Sequence, residues 1–312
     1  MVQRGAPEKP YPRFIPPMEC LATEKLPEGD QWTYEAKWDG YRTLAVKSGK
    51  TVGLYSDQGN SHSEKFPGVV FALRENPVDK VVLDGEVVAL KENGVPDFQQ
   101  LQNWRTTKYP IIYYVFDVLH HNSKDVLGLS LTERREILAE LSQRFRDPIR
   151  ISQEFDTNLD DFVAGIKTAG LEGVIAKNRH SRYESGKRSG AWLKKRFGQV
   201  GTFVIGAFTP GANGVDSILI GEWRGDKLYF LDKVRAGLIS HTRRTLYEAL
   251  APLVTKTCPF VNLPEPRNRA HAVTEEEMRK CVWVKPERLV EIEFVSRTKE
   301  KRLRHAKFRR LL

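Results

Sequence analysis

Cysteine is scarce in this 312-residue chain: Cys20, Cys258 and Cys281 stand far apart, and no Cys-x-x-Cys pair exists. That excludes a disulfide framework and a cysteine-built zinc site, and it suits a reducing cytoplasm. No apolar run approaches the length of a membrane span. The N-terminus carries Pro7, Pro10, Pro12, Pro16 and Pro17 but no apolar signal-peptide core, and it reads as an extended arm. Nothing matches G-x-x-x-x-G-K-[ST], so a nucleotide would not sit on a P-loop, and kinase-type phosphoryl transfer is disfavoured. There is no internal repeat and no low-complexity segment.

Positive charge, by contrast, is in excess. Lys and Arg number 50 against 40 Asp and Glu, a formal charge of +10. Such a balance points to a polyanionic partner, nucleic acid first. A hydrophobic fraction of 40% supports ordinary cores, and the length suits two domains.

Apolar patterning predicts strands over 32–36, 43–47 and 51–56, a helix over 66–74, and one bulged strand or two over 80–90. A helix capped by Asp97, a central strand over 111–119, and a helix capped by Thr132 follow. Next come a strand over 149–155, a helix over 159–169 stopped by Gly170, and strands over 173–177 and 191–196. Near Gly198-Gln199-Val200-Gly201 the texture changes. Short strands over 202–208, 217–223, 227–234, 282–284 and 289–295 surround one helix, 242–253. That pattern fits a small Greek-key barrel of the oligonucleotide-binding kind. The fold class is α+β.

Four polar clusters interrupt the first part. Lys37-Trp38-Asp39-Gly40 stands where two strands meet a turn. Its plain reading is a hairpin with a solvated lysine. Its sharper reading is a nucleophile, which requires a neutral amine and hence burial or neighbouring positive charge. Asp84-Gly85-Glu86 puts charge inside an apolar strand, which costs stability unless it lines a site. Glu172 and Lys177 lie at the two ends of one strand. Their odd separation places them on opposite faces unless a bulge re-aims one. Trp192-Leu193-Lys194-Lys195-Arg196 is a basic strand end. Each alone reads as a solvated strand end; their joint occurrence in this order is the signal.

In that order the clusters resemble the covalent nucleotidyltransferases, most closely ATP-dependent DNA ligases of the bacterial end-joining type. Lys37-Trp38-Asp39-Gly40 matches KxDG, Asp84-Gly85-Glu86 matches DGE, Glu172 to Lys177 matches EGxxxK, and Trp192-Leu193-Lys194 matches WxK. Phe116-Asp117 resembles the motif whose aromatic ring stacks on adenine, and Arg302 to Arg309 resembles the C-terminal barrel motif. The resemblance covers nearly the whole chain. It implies a nucleotidyltransferase (adenylation) domain of antiparallel sheets with flanking helices over 1–199, and an OB-fold domain over 200–312. It implies a lysyl-AMP on Lys37, with Lys177 and Lys194 favouring the neutral amine and neutralising the α-phosphate. Glu35 would read adenine, Phe116 stack on it, Arg42 sit by the phosphates, and Arg196 join the nucleotide contacts. Glu86 and Glu172 would take Mg²⁺ (or Mn²⁺) or the ribose hydroxyls. Arg304, Lys307 and Arg309 would orient the β- and γ-phosphates.

ATP is implied over NAD because the four-cysteine zinc module of NAD-dependent ligases is absent. The implied setting is a monomer on nicked or broken duplex DNA, cytoplasmic and nucleoid-associated, with room for a Ku-like end-binding partner and none for a membrane. Two positions depart from the family pattern. Ser56-Asp57-Gln58-Gly59 carries an acid where a DNA-contacting arginine is expected, and Ala306-Lys307 follow His305 in place of a proline and an apolar residue. An RNA ligase or capping guanylyltransferase shares the lysine chemistry and is the alternative. A non-catalytic OB-fold DNA-binding protein is the other.

Overall fold

The computed structural model describes residues 13–122, 124–155, 158–266, 272–298 and 301–312. Of the expected proline-bearing arm, the part up to Pro12 lies outside the described residues. The chain divides into two compact units, residues 1–197 and 198–312.

Along the first unit run β1 (Leu21–Ala22), β2 (Trp32–Lys37), β3 (Tyr41–Ser48), β4 (Thr51–Ser56), α1 (Pro67–Glu75), β5 (Lys80–Ala89), α2 (Phe98–Gln102) and β6 (Ile111–His121). β7 (Lys124–Asp125), α3 (Leu131–Ser142), β8 (Ile149–Ile151), β9 (Glu154–Phe155), α4 (Leu159–Thr168), β10 (Gly173–Asn178) and β11 (Trp192–Arg196) complete it. The strands form two sheets. One has the order β1-β11-β10-β2-β9; the other runs β4-β3-β5-β6-β7, with β8 also on β6.

The hairpin expected around Asp39-Gly40 does not form. β2 pairs with β10 and β9, whereas β3 pairs with β4 and β5. The turn after Lys37 therefore carries the chain from one sheet to the other. A Cβ on Gly40 would strike the Val87 carbonyl, which explains glycine at the passage. The strand expected over 149–155 divides in the same way: β8 runs parallel to β6, and β9 antiparallel to β2.

Local rules hold elsewhere. β5 is one strand, with register irregularities against β6 at Val82/Leu83 and Asp84/Gly85. Asp97 caps α2 by accepting from the Gln100 N–H at 3.1 Å. The cap of α3 is Ser130, not Thr132: Glu133, three residues on, closes a capping box with it, while the Thr132 hydroxyl donates to the Arg179 carbonyl.

Three of the unit's cores bear on the site. Val69 and Leu73 of α1, Leu101 of α2, and Leu138 and Leu141 of α3 pack on the β4-β3-β5-β6 face. Phe162 and Ile166 of α4 cover the other sheet. Between the sheets, Met18, Leu44, Leu119, Phe116, Tyr183 and Trp192 make a mixed layer. Met18 comes from the segment before β1, which is stitched down by Gly186 N–H to the Pro17 carbonyl and Ser185 Oγ to the Pro16 carbonyl.

The second unit contains β12 (Gln199–Gly211), β13 (Gly214–Arg224), β14 (Lys227–Val234), α5 (Ser240–Leu250), α6 (Glu275–Met278), β15 (Val282–Trp283), β16 (Leu289–Phe294), β17 (Ser296–Arg297), β18 (Leu303–Arg304) and β19 (Lys307–Leu311). Its main sheet has the order β14-β13-β12-β16-β19, with β15 also on β12. Past β14, Ala236 bridges Lys307 of β19, so the two edges meet and the sheet curls into the barrel of an OB fold. Leu246 and Leu250 of α5 plug its core beside Ile205, Ile218 and Ile292.

Candidate active site

Strand register explains why scattered motifs converge. On β10, Gly173, Ile175 and Lys177 lie opposite Lys37, Glu35 and Thr33 of β2. On its other side the same three lie opposite Arg196, Lys194 and Trp192 of β11. Directly paired residues share a face. Glu35, Lys37, Lys177, Trp192, Lys194 and Arg196 therefore look the same way. Glu172 ends just before β10, so strand alternation does not bind it. Instead it accepts a hydrogen bond from Lys37 Nζ, and its second oxygen accepts from Arg196 Nε at 2.8 Å. Gly173 is required here because a Cβ would meet the Lys195 carbonyl.

The other sheet supplies the facing wall. Arg42 lies opposite Glu86 across β3 and β5. Against β5, Asp84 pairs with Asp117 and Gly85 with Val115, so Phe116 is the extra residue of a bulge. A bulge re-aims its side chain, and Phe116 is turned into the cleft. The cleft measures about 510 Å³, the size of a nucleotide-scale pocket. Glu35, Lys37, Arg42, Glu86, Phe116, Lys177, Lys194 and Arg196 all line it.

The charges are arranged in layers. Lys177 and Glu35 are each 2% exposed, with Nζ 2.6 Å from Oε1. The contact is a buried ion pair and not a well-directed hydrogen bond. The Lys177 ammonium also sits 4.4 Å from the centroids of both Phe116 and Trp192. Arg42 is gripped by Asp84 at 2.7 and 2.6 Å, donates to the Met18 carbonyl, and lies 4.8 Å over Phe116. Desolvation works against its charge, but Asp84 overrides it and holds the guanidinium well above its usual value. Tyr183 donates to the same carboxylate at 2.6 Å. Asp84 is thus a buried strut, and Glu86 is the carboxyl of that motif that reaches the cleft.

Burial pushes the Glu86 carboxyl up to about 8, against the opposing pull of Lys37 and Arg42. Burial, with Arg196 nearby, lowers the Lys194 ammonium. Among the described residues no cluster of three or more His, Cys, Asp or Glu could hold a metal ion. Mg²⁺ is commonly held by only one or two carboxylates and the substrate's own phosphates, and Glu86 is a carboxyl that lines the cleft.

The structure places the remaining expected residues in the second unit. Arg304 lies on β18, and Lys307 and Arg309 lie on β19, where Arg309 pairs with Glu293 at 3.0 Å. Sequence reasoning missed the wall formed by Pro16 to Cys20, which also lines the cleft. Its only sequence signal was a proline-rich arm, and contacts with residues 185–187 decide its place. Asp57 and Gln58 stand on the rim of the same cleft.

The family model described as ATP dependent DNA ligase domain matches residues 19–196, and that described as ATP dependent DNA ligase C terminal region matches 211–311. Over 289 residues the chain is 34% identical to the multifunctional non-homologous end joining DNA repair protein LigD of Mycobacterium tuberculosis, covering 91% of this chain and 36% of that protein. It is 32% identical over 308 residues to the multifunctional non-homologous end joining protein LigD of Pseudomonas aeruginosa, covering 96% of this chain and 35% of that protein. The chain spans about a third of the length of these curated relatives. The crystal structure of the ligase domain from M. tuberculosis LigD is 33% identical, with a TM-score of 0.57, covering 96% of this chain and 95% of that one. A mycobacterial DNA ligase D complexed with ATP and MES is 32% identical, with a TM-score of 0.56 and the same coverage.

Proposed function

The chain belongs to the ATP-dependent DNA ligase family, and from that premise we propose that it joins a 5′-phosphate to a 3′-hydroxyl in duplex DNA through a lysyl-AMP on Lys37. The observation that carries the reading is the placement of Lys37. Its ammonium opens on a nucleotide-sized cleft, hydrogen-bonded to Glu172, with Lys177, Lys194 and Arg196 on the same sheet face.

Attack requires a neutral amine. Glu172, which accepts the Lys37 hydrogen bond, is the carboxylate placed to take the proton. The Nζ lone pair then forms a bond to the α-phosphorus of ATP as the bond to the bridging oxygen breaks, and pyrophosphate leaves. Lys177 and Lys194 neutralise charge growing on the α-phosphate oxygens. Phe116 stacks the adenine and Glu35 reads its edge. Mg²⁺ (or Mn²⁺), held by Glu86 and by the phosphates, would add Lewis-acid charge neutralisation. In the second step a DNA 5′-phosphate oxygen displaces Lys37 from AMP. In the third, the 3′-hydroxyl attacks that activated phosphate and AMP departs. Residues 1–199 serve as the adenylation domain and 200–312 as the OB-fold domain, with Arg304, Lys307 and Arg309 orienting the departing pyrophosphate.

The names of its relatives support a role in end joining. The setting we propose with it is a monomer on chromosomal DNA in the cytoplasm, with a Ku-like end-binding partner. The test is incubation with α-labelled ATP and Mg²⁺, followed by transfer to nicked duplex DNA bearing a 5′-phosphate. Label on protein and then a sealed strand is expected; label taken from GTP instead, with no sealing, would point to capping chemistry.

A further inference from the structure

Arg135 belongs to none of the sequence motifs, yet it joins three parts of the cleft. It stands on α3 with its side chain only 10% exposed. Nη1 donates to the Phe116 carbonyl at 3.0 Å, and Nη2 to the Ser152 carbonyl at 2.7 Å. Nε lies 3.1 Å from Glu154 Oε2, and Nη1 lies 3.8 Å from Glu35 Oε1.

Each contact meets a need that the fold creates. The bulge puts Phe116 outside the regular ladder, and an extra residue there needs a donor from elsewhere for its carbonyl. Glu35 and Glu154 are direct cross-strand neighbours on β2 and β9. Like charges so opposed repel. Arg135 is the cation shared between them, while Lys177 balances Glu35 from its other side. Ser152 also accepts from Trp38 Nε1 at 3.1 Å, and Trp38 stacks on Tyr114 with centroids 3.9 Å apart and an interplanar angle of 5°. Trp38 follows Lys37 directly. One planar guanidinium thus links the ring, the carboxylate and the strut beside the nucleophile. A lysine at this position would lack the fork needed to reach both carbonyls and stand between both carboxylates at once.

We propose that Arg135 is the positioning residue of the nucleotide pocket, holding Glu35 and Phe116 in the arrangement that selects adenine without itself touching the nucleotide. The inference rests on the reading of the cleft as the ATP site. It also links selection to attack, because the same residue braces Trp38 through Ser152.

The test measures self-adenylation of the full chain over a series of α-labelled ATP concentrations, and again with α-labelled GTP. Wild type, Arg135→Ala, Arg135→Lys, Glu35→Gln and Phe116→Ala are compared, each corrected for its folded fraction by thermal melting. Arg135→Ala should raise the half-saturating ATP concentration about tenfold, as when a buried charge loses its partner. The maximal rate should change less, and the preference for ATP over GTP should narrow. Arg135→Lys should recover part of the affinity. A merely structural residue would lower folded fraction and rate together and leave half-saturation and base preference alone; that result overturns the proposal. So does normal half-saturation in both Arg135 variants while Glu35→Gln and Phe116→Ala raise it. Normal values in all four variants would reject the pocket reading, and the inference with it. If Arg135→Ala does not fold, Arg135→Lys decides: wild-type half-saturation and base preference would overturn the role.

Discussion

Lys37 and Glu172 meet across a sequence gap that neither residue's surroundings reveal, and the pairing sharpens the test of the nucleophile. An arginine at position 37 would keep an ion pair with Glu172, so the fold should survive. Its guanidinium stays protonated at any working pH and cannot attack. Lys37→Arg should therefore melt within about 2 °C of wild type and form no covalent AMP. Acid-labile, alkali-stable label on that variant would reject Lys37 as nucleophile. A second residue-scale prediction concerns Asp232 of β14. Burial pushes its carboxyl up to about 6 against the pull of the Lys233 N–H and Arg302, with Glu265 adding to the rise. The folded state thus holds a proton that the unfolded chain releases near its ordinary value. The associated stability is present below about pH 4 and is lost as pH rises through about 6, by up to roughly 3 kcal/mol. Asp232→Asn keeps an acceptor for the Lys233 N–H but no longer titrates. It should gain stability over wild type between pH 4.5 and pH 7.5, read by denaturant midpoints at the two values. Parallel pH profiles would refute this.

At the scale of elements, α3 matters more than its surface position suggests, because it carries both Arg134 and Arg135. Arg134 is fully buried and pairs with Asp117 at 2.8 and 2.9 Å, anchoring the helix on the strand that bears Phe116. Its N-terminus depends on the Ser130–Glu133 box. Ser130→Ala should cost about 1 kcal/mol, measurable by denaturant unfolding, with Ser130→Gly costing only a few tenths. Equal losses would mean that the box is not formed. The basic C-terminal run is also an element and not a loose tail. β19 pairs with β16, and Phe308 is buried in the barrel core. Truncation would therefore remove core as well as charge, and point substitutions are the cleaner probe. Arg304→Ala, Lys307→Ala and Arg309→Ala should slow adenylation from ATP by about a hundredfold if they orient the leaving pyrophosphate. They should spare sealing of a nick that already carries AMP. Loss of that sealing with normal adenylation would assign these residues to DNA binding instead.

For the whole molecule, the charge of +10 predicts DNA affinity that falls steeply with salt, since phosphate neutralisation releases counterions. Asp57 runs against this field. It stands exposed in the lining of the cleft, at the position where the resemblance implies an arginine. Asp57→Arg should tighten nick binding and steepen the slope of log affinity against log salt by about one. Titration at several salt concentrations checks both. An unchanged slope would mean that this rim does not approach the duplex.

The sequence by itself determined the short-range features. Alternation and apolar runs located most strands, Asp97 and Gly170 marked a helix start and a helix stop, and four motifs in order carried the family. These depend on φ/ψ preferences and side-chain periodicity within a few residues. The tertiary structure decided what depends on long-range pairing. The segment around Asp39-Gly40 reads as a hairpin because a turn between two apolar strands ordinarily closes one; only the partners of β2 and β3 show the chain crossing between sheets. Glu172 and Lys177 could not be placed by alternation, since Glu172 lies outside the strand and its direction follows from Lys37 and Arg196. Arg135 left no local trace at all. A bulged carbonyl and two opposed carboxylates exist only once strands far apart in sequence have been set in register, and those are the groups that a single guanidinium is needed to satisfy.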